Sequence, residues 1–290
     1  MRLRSDTRHK LEGYVFILPF IVGFFLFFLS PLVRSITLSV SDVTKMVGLS
    51  DMTLVGFKHY LYAFTGDVEF IPIFLQVIAD TLVNTPMILV FSFILAIMLS
   101  RNIRCRGFFR VVFFLPFLLG SGYVMSVLLD LGLDQMAVAG AKDLLLTDEI
   151  KELVGPGVVN VVDEFFTRIS TVLWKSGVQI IIFLSGLQSI SPALYEAARV
   201  DAATEWDIFW KITLPMMTPI IFLNIVYTIV DGFGDVNNSM INYFTDKCFS
   251  ENQVCYAAAL SWIYFLFVAV LLGLVFLFMS KIVNRTVGQG

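Results

Sequence analysis

Very few residues of this chain are of the types that carry out enzymatic chemistry. It contains two histidines, His9 and His59, and three cysteines, Cys105, Cys248 and Cys255. Two histidines leave little room for histidine-based acid–base catalysis or a His-rich metal site, and three thiols cannot complete a four-thiolate zinc site. The sequence therefore predicts no catalytic residue, no metal site and no enzyme activity of its own.

The short motifs of common enzyme classes are absent as well. No lysine follows a glycine, so there is no phosphate-binding loop of the GxxxxGK[ST] type. There is no HExxH helix, no GxSxG nucleophile turn and no paired CxxC. A membrane-embedded enzyme would need a reactive constellation that the sequence does not provide, and no cofactor is expected on this chain.

Composition indicates that lipid is the solvent for much of the surface. Hydrophobic residues make up 58% of the 290 positions, and charged residues only 15%. Typical soluble domains are roughly 45–50% apolar and about 25% charged. The net charge of −3 gives no reason to expect nucleic acid as a partner. We predict an all-α integral membrane protein with membrane lipid around it.

Six segments are apolar over roughly the 20 residues that a membrane-spanning helix requires. A cleaved signal peptide is an alternative for the first segment, but no small-residue cleavage site follows it. The predicted spans are Tyr14–Leu32, Asp80–Leu99, Val111–Leu129, Ile169–Leu187, Met216–Val230 and Tyr256–Met279.

Lysine and arginine placement predicts the orientation of these spans. Twelve of the 20 basic residues lie in the tails and in the loops near 101–110 and 190–214, which all share one side. Cytoplasmic loops carry such an excess. We therefore expect a cytoplasmic N-terminal tail over 1–13, a transmembrane domain over 14–280 and a cytoplasmic C-terminal tail over 281–290.

Polar residues inside the spans are the candidates for contact with a transported solute, because exposure to lipid is costly for them. Each could instead bond a neighbouring helix, and those near span ends could reach the interface. Amides next to aromatic rings would suit sugars. The candidates for a solute path are Asn84, Gln179, Asn224, Tyr227 and Asp231.

The loop over residues 190–215 predicts two short helices. Ser191 with Pro192 is typical of a helix start, and Thr204 followed by Asp207 is a capping pattern for a second helix. Pro215 marks the entry to the fifth span. These helices carry more apolar surface than a free loop tolerates, so they either bind a partner or lie on the bilayer.

This loop resembles the EAA loop of binding-protein-dependent ABC importer permeases. Flanking segments, such as residues 30–32 and 55–60, resemble the carbohydrate-uptake branch and its first permease type. The family usually has glycine where this chain has Ala202. The residues that match the loop are Glu196, Ala197, Ala198, Asp201, Ala202, Ala203, Phe209, Ile212, Leu214 and Pro215.

The resemblance implies a six-span type I ABC importer transmembrane domain with cytoplasmic coupling helices, in a bacterial or archaeal plasma membrane. It implies a heterodimer with a second permease subunit, two copies of an ATPase subunit that hold ATP and Mg, and an extracytoplasmic solute-binding protein. The cargo would be a sugar or oligosaccharide, with a glycerol phosphate-like solute as another option. A membrane scaffold or channel-like subunit without ATP coupling is the alternative.

Cys248 and Cys255 are both placed outside by this topology, where a disulfide can form. Two free thiols are the alternative. Cys105 lies among cytoplasmic arginines and should stay reduced.

The orientation can be tested with single cysteines in a cysteine-free background. A cysteine at Arg106 should react with an impermeant maleimide only after the membrane is permeabilised, whereas one at Asp148 should react in intact cells. Labelling of both from outside would contradict the orientation derived from the basic residues.

Overall fold

The computed structural model describes residues 14, 17–43, 52–100, 107, 156–235 and 238–287, and these are nearly all helical. A two-stranded hairpin, β1 (Ser41–Val43) and β2 (Met52–Leu54), lies between the first two helices of this part of the chain. The helices are α1 (Ile17–Ser39), α2 (Lys58–Thr65), α3 (Phe70–Ser100), α4 (Pro156–Lys175), α5 (Gly177–Ser189), α6 (Pro192–Val200), α7 (Glu205–Ile208), α8 (Leu214–Gly234), α9 (Ser239–Phe249) and α10 (Val254–Val287).

Four helical runs of the described residues are long and apolar enough to cross a membrane: Ile17–Ser39, Phe70–Ser100, Glu205–Phe249 and Val254–Lys281. A fifth is added if the bent pair α4 and α5 counts as one span. These runs contain most of five of the six predicted spans. The remaining predicted span, Val111–Leu129, is the third along the chain and lies outside the described residues. The tail 1–13 and most of the loop 101–110 lie outside them as well.

The predicted span Ile169–Leu187 is not one straight helix. Glu164–Lys175 and Gly177–Ser189 meet at an angle of 56°. Ser176 sits at the break, where its hydroxyl donates to the carbonyl of Leu173 at 3.0 Å. A serine that bonds its own backbone, next to a glycine of low helix propensity, favours such a bend.

The chain divides into two compact units within the predicted permease domain, and each has its own packing. The second unit runs from Ile78 to Gly234 and continues from Leu271. A cluster of buried side chains fills it where α3, α5 and α8 meet. Its members are Ala96, Leu99, Ile180, Phe183, Leu184, Ile190 and Met217.

Gly186 explains why α5 and α8 approach so closely inside this unit. A Cβ at this position would lie 2.8 Å from Ile220 Cγ1 and 3.0 Å from Met217 Cε. Real Cβ atoms do not tolerate such contacts, so a side chain would push the helices apart. Small residues at helix contacts are the usual way in which membrane helices gain packing energy.

The first unit combines the described residues up to Val77 with Asp235–Val270. Its hairpin is antiparallel, with Ser41 opposite Leu54. Tyr60 of α2 donates its hydroxyl to Ser39 Oγ at 2.8 Å, and Trp262 of α10 donates its indole N–H to Ser35 Oγ at 3.2 Å. These bonds attach α2 and α10 to the end of α1.

Asp67 joins three elements of the first unit. Its Oδ1 accepts from the backbone amides of Glu69 and Phe70 at 3.0 and 3.1 Å, just where α3 begins. Its Oδ2 accepts from the hydroxyls of Tyr243 on α9, at 2.5 Å, and Tyr256 on α10. Partial burial raises the pKa of Asp67, but these four donors lower it by more, so the carboxyl lies below its ordinary value of 3.8.

Replacing Asp67 by Asn should lower the stability of the folded chain at neutral pH by about 1–3 kcal/mol, because charge-assisted hydrogen bonds are lost. A lowered pKa contributes stability that is present above pH 3.8 and is lost as the pH falls through the native value. The difference between parent and variant in detergent melting temperature should therefore shrink in acid.

The exposed Asp246 of α9 offers a matched control, since Asp246→Asn makes the same chemical change on the same unit. Its melting curve should follow that of the parent at every pH. Equal destabilisation by both variants would mean that the Asp67 bonds do not hold the unit together.

Candidate functional site

Helix α6 begins as its sequence predicts, but without a side-chain cap. Ser191 has extended backbone angles at the N-cap and Pro192 follows at the first helical position. The Ser191 hydroxyl makes no capping bond. Proline has no N–H to satisfy there and its fixed φ suits a first turn, so the helix can start without the serine side chain.

The end of α6 is a tight turn formed by the alanine-rich motif itself. The Ala203 N–H donates to the Ala198 carbonyl at 3.0 Å, and the Ala202 N–H donates to the Arg199 carbonyl at 3.1 Å. This pair of bonds defines a Schellman motif, in which the residue after the C-cap is left-handed. Ala202 occupies that position with φ of +57°. Glycine adopts this conformation without strain, whereas alanine does so at a cost.

The second short helix has the cap that the sequence predicts. The Thr204 hydroxyl accepts from the Asp207 amide at 3.2 Å and donates to Asp207 Oδ2 at 2.6 Å. Lys211 Nζ lies 2.7 Å from Asp207 Oδ1. The contacts among Thr204, Asp207 and Lys211 stabilise the start of α7 and fix its direction after the turn.

Pro215 lies at the start of the helix that contains the fifth predicted span, and it does not interrupt the helix. Helix α7 runs through one wide, π-helical turn, Phe209–Thr213, directly into α8. The Leu214 N–H donates to the Phe209 carbonyl, five residues back. In a regular helix the ring of Pro215 would clash with the carbonyl of Lys211. The wider turn accommodates the ring, so the helix continues.

The loop has an inner and an outer side. On the inner side Ile208 and Thr213 are buried, and the Tyr195 hydroxyl lies 3.4 Å from Thr213 Oγ1. On the outer side the motif residues Glu196 and Ala197 are exposed. Four large apolar side chains of the loop are also exposed: Leu194, Val200, Trp206 and Trp210. Exposed apolar surface of this kind marks an interaction site.

Five residues of this site lie between the two sides. Phe209, Ile212 and Ala198 are half-buried, as are Leu214 and Pro215. The Phe209 ring contacts the rings of Phe93 and Trp210, with centroid distances of 6.1 and 5.2 Å. The aromatic part of the motif therefore attaches the loop to its own chain, while Ala197 and Ala202 remain exposed.

Gln179 and Asn224, two of the predicted solute-path residues, are fully buried between α5 and α8. Asn224 Nδ2 donates to the Gln179 carbonyl at 3.1 Å, and Gln179 Nε2 donates to Thr228 Oγ1 at 3.3 Å. Thr228 in turn donates to the Asn224 carbonyl at 2.8 Å, whereas Gln179 Oε1 and Asn224 Oδ1 are buried without a partner among the described residues. These contacts correspond to the helix-bonding alternative. The sequence analysis missed Thr228, which lies one turn after Asn224 on the same face.

Asn84 lies in a charged cluster between α3 and α4. Arg168 Nη1 donates to Asn84 Oδ1 at 3.2 Å, and Arg168 Nη2 lies 3.6 Å from Asp80 Oδ1 and 2.8 Å from Glu164 Oε1. Asn84 is half-buried. The sequence analysis used basic residues near span ends only to predict orientation, so it did not identify Arg168 as a partner of Asn84.

Tyr227 and Asp231 are half-buried, one turn apart on α8. They lie beyond Asn224 along the same helix, so α8 carries three of the five predicted path residues. Among the five, a direct hydrogen bond joins Asn224 to the Gln179 carbonyl.

The suggested disulfide is not formed in the structure. Cys248 and Cys255 are both free thiols, one near the end of α9 and the other buried at the start of α10. Four residues that belong to neither helix separate α9 from α10. The Cys255 side chain is buried inside its unit.

Known proteins resemble this chain along nearly its whole length, although no family model matches it. The probable ABC transporter permease protein YesP of Bacillus subtilis is 28% identical over 96% of this chain and 92% of its own. The lactose transport system permease protein LacF of Rhizobium radiobacter is 28% identical, with 91% and 92% covered.

The fold agrees with two solved structures. A bacterial ABC transporter involved in the import of the acidic polysaccharide alginate superimposes with a TM-score of 0.62 at 21% identity, covering 97% of this chain and 98% of the other. The alginate transporter in complex with a pentasaccharide-bound periplasmic protein gives 0.65 at 19% identity, with 98% of each covered. In sequence and in fold, the chain therefore resembles the permease subunits of ABC importers.

The predicted all-α, multi-pass membrane fold is thereby confirmed, and transport is favoured over a scaffold that moves nothing. Permease subunits of this type are not themselves enzymes, which confirms that prediction too. The match of residues 196–215 to the EAA loop is still a prediction, as are the roles of the path residues.

The left-handed Ala202 gives the permease a position where glycine should stabilise the fold. Ala202→Gly removes a backbone strain of about 1–2 kcal/mol, offset in part by about 0.4–1 kcal/mol of extra freedom in the unfolded chain. We expect a small rise in the melting temperature of the purified permease.

Ala203→Gly is the matched control, because Ala203 does not have a positive φ. It should only add unfolded-chain entropy and lower the melting temperature. If both glycine variants were destabilised alike, the left-handed turn would carry no strain.

Proposed function

We propose that this permease forms half of the membrane path for a sugar or oligosaccharide and that the loop over residues 190–215 couples it to ATP hydrolysis. Full-length similarity to carbohydrate permeases supports the cargo. The names of relatives specify arabinooligosaccharides, lactose, multiple sugars, and trehalose and maltose. The observation that carries the coupling role is the exposed small-residue side of the loop.

The second half of the path is a different permease subunit, and this chain is the first-permease type of the pair. Two ATPase subunits lie beneath and bind ATP with Mg. An extracytoplasmic solute-binding protein delivers the cargo; the related alginate transporter was solved with a periplasmic protein carrying a pentasaccharide. The absence of a GxxxxGK[ST] loop from the sequence fits this division of labour.

Coupling rests on the two sides of the loop. Glu196, Ala197 and the turn at Ala202 form the outer side and fit a groove of the ATPase subunit, since small residues allow close backbone approach. Trp206 and Trp210 add apolar contact area, with exposed fractions of 70% and 48%. The inner side joins α8 without a break. Closure of the ATPase pair is transmitted along this connection and exposes the path to the outside.

The solute path uses the predicted polar residues whose side chains are not fully buried. Asn84, Tyr227 and Asp231 are half-buried and offer an amide, an aromatic ring and a carboxylate. Sugars bond to such groups through hydroxyls and stack on aromatic rings. Gln179 and Asn224 belong to the path only indirectly, because they fix α5 against α8.

Both termini face the cytoplasm of a bacterial or archaeal cell.

The coupling role predicts that added volume on the outer side of the loop uncouples transport. Ala197→Trp should strongly reduce uptake and the retention of the ATPase subunit on purification, since a packed interface loses about 1–3 kcal/mol or more when overfilled. Ala197→Ser, which stays small, should behave like the parent.

Glu196 can be tested in the same assay, because its side chain is exposed and fixes no other part of the loop that the structure describes. Glu196→Lys should abolish uptake while assembly survives, and Glu196→Gln should retain part of it. A tryptophan at exposed Thr245 of α9 controls for bulk added elsewhere. Full uptake and full ATPase retention in Ala197→Trp and Glu196→Lys would contradict the coupling role.

The cargo class is tested by purifying the importer with its solute-binding protein and identifying the bound solute by mass spectrometry. We expect a mass built from one or more sugar units. A phosphorylated solute without a sugar ring would overturn the cargo assignment and leave the coupling role intact.

A further inference from the structure

Helix α2, Lys58–Thr65, has one face fixed to its own unit. His59 Nε2 lies 3.1 Å from the Ser41 carbonyl, and the Tyr60 hydroxyl donates to Ser39 Oγ at 2.8 Å. Ala63 is completely buried. Three contacts on a helix of little more than two turns leave it no freedom to roll.

The opposite face is apolar and uncovered by the described part of the chain. Phe57, Leu61 and Phe64 have exposed fractions of 72%, 65% and 53%. Their spacing of four and three residues places them on one side of the helix. Lys58 and Thr65 lie on the flank of this face and are also exposed. An aromatic face with a basic flank is typical of a helix lying in a membrane interface.

The contacts of α2 also fix its depth. Ser39 is the last residue of α1, whose 23 residues span about 35 Å at roughly 1.5 Å each. The hydrocarbon core is about 30 Å thick, so a helix of this length ends outside the core, and Ser39 lies on the headgroup side of its edge. Tyr256, near the start of α10, packs edge-on against Tyr62 at 5.3 Å between ring centroids. Helix α2 is therefore level with the ends of two spans.

We propose that α2 is an interfacial helix whose Phe57–Leu61–Phe64 face lies in the boundary between lipid headgroups and acyl chains. This face continues the lipid-exposed surface of α1, where Val33 and Ile36 are exposed close to Ser39. Lys58 then reaches the phosphates of the headgroups. The helix holds the outer connection between α1 and α3 at the membrane surface. This role is independent of the cargo.

The test uses a fluorescent probe on single cysteines in the assembled importer, reconstituted in phospholipid nanodiscs. Cys105, Cys248 and Cys255 are first replaced by alanine. Leu61→Cys places the probe on the apolar face, and Lys58→Cys places it on the flank of the same helix. Lipids carrying a nitroxide just below the headgroup, and aqueous iodide, serve as the two quenchers.

The Leu61 probe should lose about half or more of its emission to the nitroxide lipid and little to iodide, because an interfacial helix buries its apolar face about 5–10 Å into the boundary. The Lys58 probe should respond in the opposite order. If Leu61→Cys does not assemble, Phe57→Cys carries the probe on the same face.

Two results would overturn the proposal. Equal quenching of both probes by iodide would place the apolar face in water. Protection of the Leu61 probe from both quenchers would mean that a protein covers this face, such as a partner subunit.

Discussion

The bilayer imposes the constraint on which everything else in this chain depends. Lipid offers no hydrogen bonds, so each backbone polar group must be paired inside the segment that crosses. Long helices follow from this, and so do the devices that let them bend or carry polar side chains. At the Ser176 break and at the wide turn before Pro215, the backbone hydrogen bonds differ from those of a regular helix, and the helical chain continues past both sites. Asn224 is tolerated because its amide bonds the Gln179 carbonyl.

The same constraint divides the polar residues of the spans into two kinds. Gln179, Asn224 and Thr228 bond one another across two helices and are sealed from lipid and water alike. Asn84 and Tyr227 are only half-buried, which is compatible with the proposed solute path. A polar residue deep in a span is therefore more informative when its partners are known. Burial, which the sequence does not reveal, distinguishes polar residues that bond a neighbouring helix from those that are proposed to contact the cargo.

Features that depend on neighbours in the chain could be predicted from the sequence. Most spans follow from apolar length, and the Thr204–Asp207 cap follows from spacing. Features that join distant segments could not. The carboxylate of Asp67 meets a tyrosine 176 positions away, and no local pattern announces that contact. The left-handed Ala202 lies between these cases: a glycine there would have signalled the turn, and alanine concealed it.

The unbroken path from α7 to α8 has a mechanical consequence. Thirty consecutive helical residues, Glu205 to Gly234, form a rod about 45 Å long at roughly 1.5 Å per residue. Stretching such a rod breaks backbone hydrogen bonds, whereas turning it as one body breaks none. A force on Trp206 therefore reaches Gly234 as the swing of a lever. The nearest residues outside a helix at that end are 201–204, so in the proposed coupling the rod would pivot at the turn that contains Ala202.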